Sequence, residues 1–265
     1  MKLPPCVLTI AGSDSGGGAG LQADARTIQA CGGFALTAVS AVTAQNSRGI
    51  RRWLPVPPAM LRAQVEAVLE DFDVRAIKTG LLPGADAVRA VAAAIRKRPR
   101  IPLVVDPVLG STSGTRFLPR REVPILKSAL GVRATIVTPN WREAAEMSGR
   151  PVRSFDQAEA AAVLLAGELR CAVLVKGGHA PGSRCRDSLA LPDGTIRWFG
   201  SPRIGTRNTH GTGCVLSAAI ATHLARGEDV PAAIRAARRF LTRQLRAGRA
   251  VRIGHGPGPA FLGVG

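Results

Sequence analysis

Short, mostly apolar runs alternate with amphipathic stretches along this chain. Residues 7–11 (VLTIA) form such a run and end in a glycine loop, GSDSGGGAG. Strands buried on both faces of a sheet read in this way, as near-continuous apolar segments. The same signature marks 34–44, 75–78, Leu103–Val105, 135–137, Ala172–Val175 and 188–191. Between these runs the spacing becomes helical. Residues 21–30 predict a helix closed by Gly32 and Gly33. Pro58–Asp71 starts on proline and sets Leu61, Val65, Val68 and Leu69 on one face. Helices are also expected over 85–98, 213–226 and 230–248. Strand and helix in alternation predict an α/β fold, with a mostly parallel central sheet and helices on both faces. No linker-like segment or internal repeat interrupts the pattern, so residues 1–265 read as a single domain. The last stretch, 257–265, reads as loosely held.

Ligands of open parallel sheets sit beyond the carboxyl ends of the strands. AGSDSGGGAG, TAQN, KTG, DPV, TPN and KGGH each follow one of the apolar runs. Candidate chemistry therefore collects at one end of the sheet.

Composition narrows the picture. A chain of 265 residues can bury a large core. No apolar run reaches the roughly 18–20 residues of a membrane span, and the first residues lack a signal-peptide core, so a cytoplasmic location and no membrane partner are expected. Five dispersed cysteines with no CxxC, and no HExxH, point away from a disulfide scaffold or a structural zinc site. The formal charge of +18 invites nucleic acid. However, the arginines are scattered except at 96–100 and 235–249, and the chain has no tyrosine and no visible base-stacking platform. An arginine-rich surface that attracts polyphosphates is the preferred reading. A basic nucleic-acid-binding protein is kept as the alternative from another class.

The glycine loop at 12–20 lacks the GxxxxGK[ST] of a P-loop and the GxGxxG of a dinucleotide site, and 110–114 is not GxSxG. Gly211-Thr212-Gly213-Cys214, running directly into a helix, says more. First-turn amides lack internal partners and carry partial positive charge, and glycine lets a backbone approach an anion. Such static donors suit the charge of a phosphoryl group in transfer. At a helix start the dipole is expected to lower the pKa of Cys214, which could then orient or deprotonate an attacking hydroxyl. The other reading is a small cysteine packed at a helix start.

THGTGC resembles the anion-hole motif of the ribokinase-like superfamily. The cysteine, in place of the more common aspartate, resembles the hydroxymethylpyrimidine/phosphomethylpyrimidine kinases of thiamine biosynthesis, the ThiD family. The likeness runs through LTIAGSDSGGGAGLQAD, TAVSAVTAQNSRG, KTGLL, VVDPV, TPNWREA, VLVKGGH, TRNTHGTGCVLSAAIA and GHGPGP, in order over nearly the whole chain. It implies ATP as phosphoryl donor, Mg2+, a small pyrimidine substrate and a homodimer. Gly211, Thr212, Gly213 and Cys214 would be catalytic. Gln45 would hydrogen-bond the aminopyrimidine edge, for which a carboxamide offers both donors and an acceptor. Gly12, Asp24 and Thr43 would be neighbouring pocket positions, although Asp24 could also be a helical surface charge. Lys176 would reach the nucleotide phosphates. Asp106 and Glu143, the latter in the N-x-x-E of Asn140-Trp141-Arg142-Glu143, would help to place Mg2+. Vitamin B6 kinases share the scaffold and are the nearest alternative, with Gln45 favouring the aminopyrimidine. Residues 109–114 (LGSTSG), a lid-like segment, and the short arginine-rich 182–187 depart from the family pattern. His210 precedes the hole and is given no chemistry.

Overall fold

The computed structural model describes residues 3–111, 114–178, 180 and 182–260. Nine strands and eight helices are described. The strands are β1 (Cys6–Asp14), β2 (Phe34–Asn46), β3 (Gly49–Pro55), β4 (Val74–Thr79), β5 (Leu103–Val105), β6 (Ile136–Val137), β7 (Ala172–Val175), β8 (Arg184–Ala190) and β9 (Ile196–Pro202). The helices are α1 (Gly20–Ala30), α2 (Pro58–Asp71), α3 (Gly84–Ile95), α4 (Val123–Ala129), α5 (Trp141–Ser148), α6 (Phe155–Leu169), α7 (Thr212–Ala225) and α8 (Val230–Ala247). One sheet runs in the order β3-β2-β1-β4-β5-β6-β7-β8-β9. The six strands from β2 to β7 pair in parallel, while β3, β8 and β9 join antiparallel at the two edges.

The strand pleat sorts the core. Successive side chains leave a strand on opposite faces. Leu103, Val105, Val137, Val173 and Val175 accordingly pack with Leu61 and Val65 of α2, Val88 and Val91 of α3 and Leu165 of α6. Val104, Ile136, Ala172 and Leu174 face the other way, onto Ala23 of α1, Val215 and Ile220 of α7 and Ile234 and Phe240 of α8. Helices thus cover both faces, as expected. The basic run 235–249 includes the outward side of α8, whose inner side buries Ala233, Ile234, Ala237 and Phe240.

One expectation changes. Residues 257–260 are held rather than loose. His210 N–H donates to Gly258 O at 3.0 Å, Ala260 N–H donates to His210 O at 2.8 Å, and Ala260 is buried. Residues 261–265 of that stretch lie outside the described residues. In the lid-like segment, Ser111 and Thr115 close a small turn, with Ser111 N–H donating to Thr115 O at 2.7 Å. Buried Leu109, Phe117 and Leu118 anchor its ends, and Thr112 and Ser113 lie outside the described residues. Within the second departure, 182–187, the chain enters β8 and carries a buried carboxylate. Asp187 Oδ1 accepts from Gly177 N–H at 2.8 Å, and its Oδ2 pairs with Arg238 of α8. That pair fixes the turn that follows β7.

Candidate active site

The five central parallel crossovers deliver Asp14, Gly80, Asp106, Asn140 and Lys176 to one end of the sheet, and α7 begins there. Gly211 is the N-terminal cap of α7, with φ of 80° and no capping side chain. Its carbonyl accepts from Val215 N–H at 2.9 Å. No side chain covers the next amides, and the helix therefore presents Gly213 and Cys214 N–H to the cleft. A methyl group placed on Gly213 would stand 3.3 Å from Lys176 Nζ and 3.6 Å from Asp106 Oδ2. The hole, the ammonium and that carboxylate therefore share one small space.

Lys176 Nζ donates to Asp106 Oδ1 at 2.7 Å. Asp106 also accepts from Ser217 Oγ at 3.2 Å and Thr138 Oγ1 at 3.3 Å. Burial alone would raise the Asp106 carboxyl, but Lys176 and Lys78 outweigh it and hold it below the usual carboxylate range. Glu143 belongs to a capping box on α5. Its Oε2 accepts from Asn140 N–H at 2.7 Å, and Asn140 Oδ1 accepts from Glu143 N–H at 3.0 Å. Burial pushes Glu143 up to about 7 against the pull of Lys176, with Asp106 adding to the rise. Lys176 therefore sits between one firmly ionised carboxylate and one that is half-protonated near neutrality.

Cys214 departs from its expected electrostatics. Burial pushes its thiol up to about 11; Lys78 opposes this, while Asp24 and Asp106 reinforce it. A helix terminus contributes on the order of 0.3–2 kcal/mol to a nearby charge. That is too little here to offset desolvation and two carboxylates, so the resting sulfur is a thiol rather than a thiolate.

Against the start of α7 the glycine loop is gathered by one side chain. Asp14 Oδ1 accepts from Gly16 N–H at 2.8 Å, and its Oδ2 accepts from Gly18 N–H at 3.0 Å and Ala19 N–H at 2.8 Å. His210 Nε2 lies 3.1 Å from Asp14 Oδ2 and 3.2 Å from Gln45 Nε2. Burial would raise Asp14, but the His210 contact and the loop amides hold it below its ordinary value. Thr43 Oγ1 donates to Ser13 O at 2.9 Å and lies 3.4 Å from Gln45 Oε1. Gly12 is packed against Leu81, whose Cδ1 would be 3.1 Å from a methyl group there.

Asp24 is neither a surface charge nor an exposed pocket wall. Its side chain is 0% exposed, and Oδ2 accepts from Lys78 Nζ and Thr9 Oγ1, each at 2.6 Å. It stands behind the cleft. Gly12, Gln45, Thr43 and Asp14 thus gather at one end, and Lys176, Asp106, Glu143 and the start of α7 at the other, with His210 between. Lys78, Asp14, Asp187 and Ser217 carry weight that the sequence reading did not assign. Asp14 had a signal, since an aspartate just before glycines often caps their amides. Lys78 had only its place in KTG.

The family described as phosphomethylpyrimidine kinase matches residues 14–260. A hydroxymethylpyrimidine/phosphomethylpyrimidine kinase from Streptomyces coelicolor is 43% identical, over 96% of this chain and 93% of its own length. A thiamine biosynthesis multifunctional protein from Corynebacterium efficiens is 42% identical over 96% of this chain, which spans 34% of that longer protein. Among solved structures, an ADP complex of Bacillus subtilis pyridoxal kinase superposes with a TM-score of 0.85 at 33% identity, covering 92% of each chain. These likenesses fit a ribokinase-like fold and show that the chain belongs to the phosphomethylpyrimidine kinase family.

Proposed function

We propose that this chain uses ATP to phosphorylate the hydroxymethyl oxygen of 4-amino-5-hydroxymethyl-2-methylpyrimidine. The resulting monophosphate is its second substrate, and the diphosphate product serves thiamine biosynthesis. The observation that carries this reading is the line from Gln45 through His210 to the uncapped start of α7. A carboxamide that can bind an aminopyrimidine edge lies at one end, and donors for a moving phosphoryl group lie at the other. Lys176 meets the phosphates. Gly211, Thr212 and Gly213 shape the hole, and Cys214 faces the accepting hydroxyl. Gly12 and Thr43 support the ring pocket.

The acidic residues fit Mg2+ held through water. Asp106 and Glu143 flank Lys176, their oxygens already serve protein donors, and among the described residues no three acidic, cysteine or histidine side chains form a metal cage. Mg2+ keeps several waters and leans on one or two carboxylates plus phosphate oxygens. When bound it would neutralise charge on the phosphates. Lys176, freed in part from Asp106, would take up a phosphate contact.

Cys214→Ala tests the assignment. Turnover falls about 100-fold or more, the scale of a lost proton-transfer group, while KM for the pyrimidine stays near the unmodified value. Near-normal turnover would overturn the role of Cys214. The pyridoxal kinase neighbour supports vitamin B6 phosphorylation as the second reading. Comparing kcat/KM for the hydroxymethylpyrimidine and for pyridoxal decides between them, and a clear preference for pyridoxal would refute the substrate.

A further inference from the structure

A carboxamide can present its two ends either way round. The oxygen end asks for a donor and the nitrogen end for an acceptor, so the neighbours of Gln45 decide how its amide lies. At one end stands His210 Nε2, 3.2 Å away and also 3.1 Å from Asp14 Oδ2. Burial works against the charge on Asp14, but the His210 contact and the loop amides outweigh it and keep the carboxylate ionised. A carboxylate has no hydrogen to give, so His210 Nε2 carries one, in the neutral ring as in the cationic one. An amide nitrogen facing that N–H would set donor against donor. At the other end Thr43 Oγ1 lies 3.4 Å away and spends its hydrogen on Ser13 O at 2.9 Å. It can only accept. Oxygen toward His210 and nitrogen toward Thr43 satisfy both neighbours, and the reverse satisfies neither. The hydrogen-bond network thus turns the amide over, exchanging Oε1 and Nε2 at the two contacts. The surroundings hold it there. Ser15 Oγ donates to Gln45 O at 2.7 Å and accepts from Gln45 N–H at 2.8 Å. The imidazole lies so close to Gly18 that a methyl group there would run into its Cδ2.

We propose that His210, oriented by Asp14, and Thr43 lock the Gln45 carboxamide with its oxygen on the His210 side, and that this lock makes the site select a 4-amino pyrimidine over a 4-oxo one. The proposal rests on the reading that Gln45 meets the pyrimidine edge. One lone pair on the amide oxygen and one hydrogen on its nitrogen remain for that edge. His210 directly precedes Gly211, so its side of Gln45 is the side nearer the phosphoryl site. The hydroxymethyl group that must reach this site is carried by ring carbon 5, and position 4 is its neighbour. The substituent at position 4 therefore meets the locked oxygen, and the ring nitrogen beyond it meets the locked N–H. A 4-amino group donates and that nitrogen accepts, which matches both. A 4-oxo group accepts and its neighbouring nitrogen carries hydrogen, which opposes both. Asp14 and His210 act here as positioning residues, through the amide of Gln45.

Comparing kcat/KM for 4-amino-5-hydroxymethyl-2-methylpyrimidine and for its 4-oxo analogue tests the proposal. The wild-type protein should prefer the amine by about 1,000-fold, because the analogue mispairs both ends of the amide. His210→Phe keeps a ring and removes the N–H, which leaves only Thr43 to hold the amide. The preference should then fall to about tenfold, with the analogue gaining as the amine loses. His210→Gln restores a donor of similar reach and should recover most of the preference. An equal loss for both substrates in His210→Phe, with their ratio intact, is what a merely structural role gives and would overturn the proposal. Nitrogen NMR of wild-type protein labelled at histidine needs no variant to fold. His210 Nε2 should show the shift of a nitrogen that carries hydrogen, and a bare Nε2 with the hydrogen on Nδ1 would also overturn the proposal. Wild-type turnover of neither pyrimidine would instead sink the substrate reading beneath it, and the selectivity with it.

Discussion

Replacing Gly211 with alanine separates the strain of a backbone conformation from the geometry of the phosphoryl site. Gly211 has φ of 80°, and a methyl group there would run into the carbonyl oxygen of Gly18 in the glycine loop. Gly17, with φ of 71°, carries the same conformational penalty but has nothing within 4 Å of an added methyl group. A left-handed backbone costs a non-glycine residue about 1–2 kcal/mol. Gly17→Ala should therefore lower the unfolding free energy by about 1 kcal/mol and leave turnover nearly intact. Gly211→Ala carries that cost too, and must push the two loops apart by about 1 Å, a displacement on the scale that misaligns reacting groups about 100-fold. Urea unfolding supplies the stabilities, and a coupled ADP-release assay supplies kcat. The expected pattern is a loss of about 2–3 kcal/mol for Gly211→Ala, adding modest loop strain to the backbone term, with kcat down about 100-fold. If Gly211→Ala turns over as fast as Gly17→Ala, the contact between the loop and the helix start does not position the chemistry.

Lys176→Met removes the cation between two buried carboxylates. The loss should be about 3–5 kcal/mol, as for breaking a buried pair. The deficit is smaller at pH 6 than at pH 8: Lys176 draws Glu143 down to about 7, so without it the carboxyl rises further and keeps a proton that the intact protein releases between those pH values. Equal deficits at the two pH values in thermal melts would contradict this. The alkylation rate of Cys214, followed by peptide mass mapping, should stay low at pH 7 and climb as pH rises toward its ionisation near 11. Rapid labelling at pH 7 would mean a thiolate at rest.

Much of the scaffold was legible because burial on two faces leaves a clear trace. Leu103–Val105, Ala172–Val175 and Pro58–Asp71 are strands and helix with the bounds the pattern predicts. The edge strands β3 and β9 were not, because Gly49–Pro55 and Ile196–Pro202 mix exposed arginines with one or two aromatics and bury little. The alanine-rich α6 was also missed, although Ser154 caps it by accepting from Gln157 N–H at 3.2 Å. At the site, Lys176, Asp106 and Glu143 lie together because each follows a central parallel strand, a placement the order of motifs already implied. What it could not convey was depth. Asp24 and Lys78 lie 54 positions apart in sequence, and their pairing exists only once α1 lies across β4. The shift at Cys214 likewise depends on how completely the helix start is buried.

His210 touches the carboxylate that folds the glycine loop and the carboxamide assigned to the ring, and its own backbone leads straight into Gly211. One imidazole therefore spans the grip on the acceptor and the cradle of the donor. On the proposed roles, a substitution at position 45 would remove a contact of His210, whose backbone leads into Gly211, and should therefore be felt at both ends of the site.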